Sequence, residues 1–406
     1  MSIAIASCAT KPVTTERATA SEILAATPPM GWEAWNYAGV SCSATNEVVL
    51  RQMADAMVSS GMRDAGYEYI RIDECWTGGR DPQTGRVFEN KKRFPSGMKA
   101  LADYVHARGL KLGIYTDVGR KTCMAAAHVD PQERVSNHEG SLGHEFEDAM
   151  QYAEWGIDHV KNDYCFSKGL DPKGIYTKMG EAIRATGRPM VYNLCGWGEI
   201  SAHKWGKEIG AQSWRIGPDI ENNWKSVLLI TDMMDGLEAY NEPGGFNDAD
   251  MLEVGNGVLT PAEERAHMSL WSIFAGPLIA GNDLRKMSAQ TIKILTAKEV
   301  IAVNQDPLGI QGKRISKGPN EVWVKPLADG SRAVVLFNRS NKWEKLSVNF
   351  ADIWLKPGPT KVRDLWYQRD LGTTNDGTYS SKVEPHGVVM LRITGEPAPY
   401  PIYPRN

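Results

Sequence analysis

The sequence predicts an eight-stranded α/β barrel, a (β/α)8 TIM barrel, followed by a C-terminal antiparallel β-sandwich. Three observations carry that prediction. The chain of 406 residues exceeds what one hydrophobic core usually organises, so two domains are expected, one of them of barrel size. From Pro28 to about Gly309 one pattern recurs eight times: an apolar strand ending in polar or aromatic residues, then an amphipathic segment. After Asn304-Gln-Asp-Pro-Leu-Gly309 the pattern turns to short alternating stretches broken by turn signals.

Taken in order, the predicted barrel strands are Met30 to Trp35, Tyr69 to Asp73, Leu110 to Thr116, Ile157 to Asp163, Met190 to Cys195, Ser213 to Gly217, Gly245 to Asp248 and Pro277 to Ala280. They occupy the ~250 residues typical of such a barrel, which favours it over a doubly wound open sheet. The intervening segments Glu47 to Gly61, Gly97 to Arg108 and Gly143 to Gly156 place apolar residues at helical spacing and run to or near a glycine. Sandwich strands are expected at Glu321 to Pro326, Ala333 to Asn338, Lys345 to Phe350, Lys361 to Asp364 and Gly387 to Ile393, with turns at Ala328-Asp-Gly330 and Asn375-Asp-Gly377. The domain reading is therefore a leader-like or disordered segment over 1–27, the barrel over 28–309, the sandwich over 310–396 and a Pro-rich tail over 397–406.

The start, Met1-Ser-Ile-Ala-Ile-Ala-Ser-Cys8, resembles the tail of a bacterial lipoprotein signal in which Cys8 would carry the lipid. Elsewhere no apolar run approaches the ~20 residues of a spanning helix. A net charge of -3 from 46 basic and 49 acidic residues supplies no cationic field, which argues against nucleic acid or anionic membrane as the main partner. Aromatic usage is skewed toward 13 Trp and 14 Tyr against 8 Phe. Those side chains pair a flat apolar face with a polar edge, a combination that suits sugars as well as cores.

Catalytic groups of a barrel come from the C-terminal ends of its strands. Here those ends offer Trp35, Asp73-Glu74, Tyr115 and Asp117, Lys161 and Asp163, Cys195 and Trp197, Arg215 and Asp219, then Asp248 and Asp250. One carboxylate at a strand end is ordinarily a cap or a loop salt bridge. Several acids converging with aromatics and two cations on one mouth point to chemistry. Other chemistries find no support: His138-Glu139 and His144 lack zinc-site spacing and read as loop residues, Gly255-Asn-Gly257 reads as a turn, and no Gly-x-Ser-x-Gly elbow occurs. No metal or cofactor is implied.

Six segments carry a family resemblance: Met30-Gly-Trp-Glu-Ala-Trp35, Ile72-Asp-Glu-Cys-Trp76, Gly113-Ile-Tyr-Thr-Asp-Val-Gly119 with Lys121-Thr-Cys123, Val160-Lys-Asn-Asp-Tyr-Cys165, Trp214-Arg-Ile-Gly-Pro-Asp219 and Asn247-Asp-Ala-Asp-Met-Leu252. In their order and placement the chain resembles the retaining α-galactosidases of glycoside hydrolase family 27. The resemblance implies an exo-acting retaining enzyme with Asp163 as nucleophile and Asp219 as general acid/base. It also implies that Trp35, Asp73, Glu74, Tyr115, Lys161, Cys195, Trp197, Arg215 and Asp250 surround the sugar. The implied partners are terminal galactosides or arabinopyranosides of oligosaccharides, polysaccharides or glycoconjugates.

Elementary physics agrees with that allocation of roles. Lys161, two residues before Asp163 and so on the same strand face, is expected to keep the nucleophile ionised. The Asp163 anion is in turn expected to raise the pKa of Asp219. The resemblance further implies disulfides Cys42 to Cys75 and Cys123 to Cys165, with Cys195 unpaired in the pocket wall. Two bridges imply export to periplasm, cell surface or medium.

Two departures bear on the sugar. Glu74 stands where family α-galactosidases usually carry Asp, and its extra methylene is expected to intrude toward the C6 hydroxymethyl. That favours, as an alternative, a β-L-arabinopyranosidase, whose sugar lacks the group. Gly196 stands where many relatives carry Glu, a thin argument for an α-N-acetylgalactosaminidase. A non-catalytic galactoside-binding protein would be expected to lack one of the two acids.

Overall fold

The computed structural model describes residues 23–38, 42, 45–125 and 138–401. Cys8 and the leader-like segment up to residue 22 lie outside the described residues, as does the tail after 401.

Eight strands, β1 (Met30–Glu33), β2 (Tyr69–Arg71), β3 (Lys111–Asp117), β4 (His159–Asp163), β5 (Val191–Cys195), β6 (Ser213–Arg215), β7 (Phe246–Asp248) and β8 (Leu278–Ala280), form one parallel sheet in the order β8-β1-β2-β3-β4-β5-β6-β7. A parallel bridge between Leu252, just past β7, and Ala280 of β8 closes the ring. The predicted first strand stops two residues short, because Trp35 lies in the short helix α1 (Ala34–Ala38).

Helices α2 (Glu47–Ser59), α3 (Met98–His106), α4 (Glu145–Trp155), α5 (Pro172–Ala185), α6 (Trp224–Met234), α7 (Pro261–Phe274), α8 (Ala289–Leu295) and α9 (Lys298–Asn304) surround the ring. Their starts follow local chemistry. Asn46 accepts from the Val49 N–H, Asp171 caps α5 ahead of Pro172, and Thr260 and Glu263 form a reciprocal capping box on α7. Between β5 and β6 the connection holds only a 3-10 turn (Ala202–Lys204).

The barrel interior carries a charged layer rather than an apolar one at its functional end. Glu33 pairs with Arg71 at 2.5 Å and with Lys161 at 3.0 Å, and Lys161 pairs with Asp73 at 2.7 Å, all with nearly inaccessible side chains. Gly113 makes room for this layer, since a Cβ there would sit 2.8 Å from Arg71 Cγ.

The second domain has a six-stranded antiparallel sheet built from β9 (Lys313–Ser316), β10 (Asn320–Pro326), β11 (Arg332–Asn338), β13 (Thr360–Asp364), β14 (Arg369–Thr374) and β16 (Val388–Thr394), in the order β9-β10-β11-β16-β13-β14. It is faced by the pair β12 (Glu344–Asn349) and β15 (Thr378–Val383). Strand alternation sorts the two faces. Val322, Val324, Val334 and Leu336 fill the sandwich core, while Trp323, Val335 and Phe337 join the barrel core. Trp323 meets Phe274 of α7 with ring centroids 5.1 Å apart, so the two domains share one apolar seam. Among the described residues, no helix is long and apolar enough to cross a membrane.

Candidate active site

Strand register assembles the site. Asp117, Asp163 and Cys195 end β3, β4 and β5 on one rung, and Tyr115, Lys161 and Asn193 form the rung two residues below. Asp73 and Glu74 follow β2, Arg215 ends β6, and Asp250 lies two residues past β7. All of these are buried, whereas Trp35 and Trp197 are half-buried and Asp219 is exposed.

Asp163 occupies the centre. Its Oδ2 accepts from the Tyr115 hydroxyl at 3.0 Å, and its buried Oδ1 has no hydrogen-bond partner. Burial raises its pKa to about 6, with Lys161 opposing and Asp219 adding to the rise. The expectation that Lys161 holds this carboxyl low is therefore corrected. The ammonium is shared between Glu33 and Asp73, so it offsets only part of the burial. Of those two acids, burial works to raise both. Glu33 is nevertheless held at about 2 by Arg71 and Lys161, whereas Asp73 is pushed well up.

Asp219 stands at the rim, with its side chain about half exposed. Its Oδ1 accepts from Arg215 Nη2 at 3.0 Å and from Trp197 Nε1 at 3.2 Å. Burial works to raise its pKa, but Arg215, Lys161 and the Trp197 hydrogen bond bring it below the ordinary aspartate value. This overturns the expected upward shift. A guanidinium in contact outweighs the more distant Asp163 anion. Arg215 is buried and also reaches Asp250 Oδ2 at 3.0 Å, and that oxygen accepts from the Ile220 N–H at 2.8 Å. One cation thus ties Asp219 at the rim to the buried Asp250. Burial brings Asp250 up to about 6 despite Arg215.

The two shifts carry a consequence for pH. If Asp163 and Asp219 act as the nucleophile and acid that the resemblance implies, turnover needs one proton on the pair, and the singly protonated population sets the limits of kcat/KM whichever oxygen holds that proton. Raising the pH through the higher value, that of Asp163 at about 6, removes the only transferable proton. Lowering it through the depressed Asp219 value adds a second one and silences the nucleophile. The expected profile of kcat/KM is a bell whose alkaline limb falls from about pH 6. Rates that climb steadily from about pH 6 to about pH 8 would contradict it.

Glu74 does not project freely into the mouth, contrary to expectation. Its Oε1 accepts from the Met124 N–H at 2.8 Å and lies 3.1 Å from the Tyr115 hydroxyl, and its Oε2 lies 3.8 Å from His138 Nδ1. The single Tyr115 proton therefore serves either Glu74 or Asp163. Cys75, left-handed at φ 73° and bridged to Cys42, turns the chain immediately after Glu74. Left-handed backbone at Cys75, Trp197 (φ 49°) and Asp250 (φ 73°) clusters non-glycine strain at this mouth, at a cost of ~1 to 3 kcal/mol each.

Both implied disulfides are present, Cys42 to Cys75 and Cys123 to Cys165. The Cys123 sulfur lies 3.5 Å from Asp163 Oδ2, so the second bridge forms part of the wall beside the central carboxylate. Asp117, Cys123 and Cys165 cluster closely enough to hold a metal ion, but both sulfurs are spent in that bridge and Asp117 accepts from the Gly119 and Cys165 N–H groups. Cys195 is the free thiol among the described cysteines. It is fully buried, with Arg215 Nη1 donating to it at 3.6 Å. Trp35 packs against the Cys42–Cys75 bridge and Met124. Gly196 opens no space, because a Cβ there would meet Ile200 Cδ1 at 2.3 Å.

Sequence reasoning missed Glu33, Arg71, Asn193 and the role of His138. Glu33 does end a strand within the first quoted motif, and that position was its one legible signal. His138, read as a loop residue, is buried beside Glu74. Asn193 donates to Asp248 Oδ2 at 2.8 Å and holds it beneath Asp250.

The chain matches the family model described as alpha galactosidase A over residues 27–306, and the alpha galactosidase C-terminal beta sandwich domain over 317–393. A probable alpha-galactosidase of Dictyostelium discoideum is 46% identical over 376 residues, covering 91% of this chain and 93% of that one. The structure of alpha-galactosidase I from Mortierella vinacea superimposes with a TM-score of 0.84 at 34% identity, over 92% of this chain and 98% of that one. A family 27 β-L-arabinopyranosidase from Geobacillus stearothermophilus gives a TM-score of 0.79 at 26% identity, over 92% and 97%. The chain belongs to the alpha-galactosidase family, glycoside hydrolase family 27.

Proposed function

We propose that the protein is an exo-acting retaining α-galactosidase that releases terminal α-D-galactopyranosyl residues by double displacement. One observation carries the reading: a buried carboxylate with an unpartnered oxygen, Asp163, sits opposite a rim acid held by a cation and an indole, Asp219. In this reading Asp163 attacks the anomeric carbon while Asp219 passes its proton to the departing oxygen. A water activated by Asp219 then attacks from the face the aglycone left and displaces the Asp163 carboxylate, so configuration is retained. Tyr115, whose one hydroxyl proton reaches either Asp163 or Glu74 in the free enzyme, is left to Glu74 as the Asp163 charge is consumed. Asp73, Lys161, Arg215 and Asp250 supply the donors and acceptors that hold sugar hydroxyls, and Trp35, Trp197 and Cys195 complete the walls. A galactoside-binding protein without turnover would need neither acid, and both are in place.

The galactoside reading is preferred over the β-L-arabinopyranoside because Glu74 is drawn aside by the Met124 N–H and so leaves room at C6. The 46% identity to an alpha-galactosidase against 26% to the arabinopyranosidase points the same way. Ile200 stands beside Gly196, so the missing side chain there gives no support to an acetamide pocket. A hydroxymethyl that fits its pocket is worth ~1 to 3 kcal/mol. The p-nitrophenyl α-D-galactopyranoside is therefore expected to exceed the β-L-arabinopyranoside in kcat/KM by about ten- to a hundredfold. A ratio at or below one would sink the galactosidase reading in favour of the arabinopyranosidase. Export to an oxidising compartment is part of the same proposal, supported by the two bridges.

A further inference from the structure

We propose that the cleft where the sandwich meets helix α7 is a second carbohydrate-binding site, which holds the chain of a polymeric substrate outside the catalytic mouth. The inference rests on the glycosidase reading above and concerns a separate set of residues. Among the described residues, Trp343 and Tyr367 are the exposed members of their kinds, at 56% and 75%, and both line this one cleft. Its volume of about 350 Å³ lies in the ~300 to 1,000 Å³ range of small-molecule sites. Two exposed aromatic side chains gathered in one cleft mark it as a candidate ligand groove. A flat ring with a polar edge is suited to the C–H face of a pyranose, whose hydroxyls then need charged or polar neighbours.

Those neighbours are present. Arg265, Asp364, Arg369, Lys382 and Glu384 line the same cleft, with the Lys382 ammonium 5.1 Å from the Trp343 ring centroid. Such charge density suits hydroxyls and disfavours a second protein copy as the occupant, because protein interface cores are depleted of charge. The cleft is also pre-ordered, which lowers the entropy lost on binding. Asp364 Oδ1 accepts from the Trp366 and Tyr367 N–H groups at 3.0 Å each, Trp366 Nε1 donates to Ser269 Oγ of α7 at 2.9 Å, and Arg265 pairs with Glu384 at 2.5 Å.

Topology sets its position. Helix α7 begins at Pro261, after β7, so its first turns lie at the end of the barrel where the strand ends gather the catalytic groups. Arg265 belongs to those turns. The cleft shares no side chain with the mouth, and its one barrel residue, Arg265, lies in the turns of α7 nearest the catalytic strand ends, so a branched polysaccharide lying on the sandwich can deliver a terminal sugar to Asp163.

The probe is a soluble polysaccharide bearing terminal α-galactosyl branches, used in two arms with Trp343→Ala, Tyr367→Ala and the double variant. In the first arm, retardation in native gels containing the polysaccharide is measured on an Asp163→Asn background with the catalytic site saturated by free galactose. Retardation is expected to persist in that background and to be lost in the double variant. In the second arm, kcat/KM on the polysaccharide is expected to fall about tenfold in the double variant, with rates on p-nitrophenyl α-galactoside unchanged. Both side chains are exposed, and equal p-nitrophenyl rates would report an intact fold. Equal retardation of all variants together with an unchanged ratio of polymer to p-nitrophenyl activity would overturn the site. So would a variant-dependent change in oligomeric mass by light scattering, which would assign the cleft to a contact between copies. If the wild type fails to cleave the p-nitrophenyl substrate, the α-galactosidase reading falls, and the retardation arm still decides the cleft.

Discussion

Asp163→Ala is expected to reduce kcat on p-nitrophenyl α-galactoside by on the order of 10⁴-fold or more, the scale seen when the nucleophile of a covalent mechanism is removed. The reason lies in the geometry. Asp163 Oδ1 is the buried oxygen without a partner, and Oδ2 is held by Tyr115, so the carboxylate is oriented by one oxygen and free to react through the other. No neighbour can take over. Asp117 is held by two backbone N–H groups, and burial, the main cause of its raised pKa, persists when Asp163 is removed, while Glu74 is engaged by Met124. Truncation also leaves a small space facing the anomeric carbon, so added azide is expected to restore turnover and give the inverted, β-galactosyl azide. An Asp163→Ala enzyme with wild-type rates would remove the nucleophile assignment.

Asp219→Asn is expected to cost ~10² to 10⁴-fold on substrates with alkoxide-like leaving groups, the range general acid catalysis supplies. With an activated phenol, which departs with little proton assistance, the first step is expected to be nearly spared. The asymmetry distinguishes acid from binding residue. Were Asp219 only a hydroxyl ligand, held as it is by Arg215 and Trp197, the losses would be equal on both classes. Because Arg215 also reaches Asp250, Arg215→Lys is a poor substitute test: it disturbs both carboxylates together.

Much of this site was legible in the sequence because strand periodicity is local. Lys161 and Asp163 share a face by their spacing of two, and the register then places Asp163 beside Asp117 and Cys195. What failed to read was nonlocal. Glu33 reaches Lys161 across 128 residues and Met124 reaches Glu74 across 50, so neither the sharing of the ammonium nor the capture of Glu74 has a sequence signal. The direction of the Asp219 shift failed for a related reason. Arg215 stands four residues before it, but the intervening Gly-Pro turn, and not a helix, brings the guanidinium into contact. In the sandwich, β9, β14 and β15 went unread. Arg369–Thr374 is largely exposed and carries one apolar residue, Leu371, so no alternation marks it, whereas β11 is buried on both faces and reads as a continuous apolar run.

Retention through a bond to Asp163 is the central claim, and mass spectrometry of the trapped enzyme tests it most directly. A 2-deoxy-2-fluoro-α-galactosyl substrate with a highly activated leaving group slows hydrolysis of the intermediate more than its formation, because the fluorine destabilises both transition states while the leaving group rescues the first. After peptic digestion, one fluorosugar is expected on the peptide that contains Lys161-Asn-Asp-Tyr164, attached at Asp163. An adduct on another carboxylate, or no adduct together with release of the β-anomer of galactose from the ordinary substrate, would contradict the mechanism.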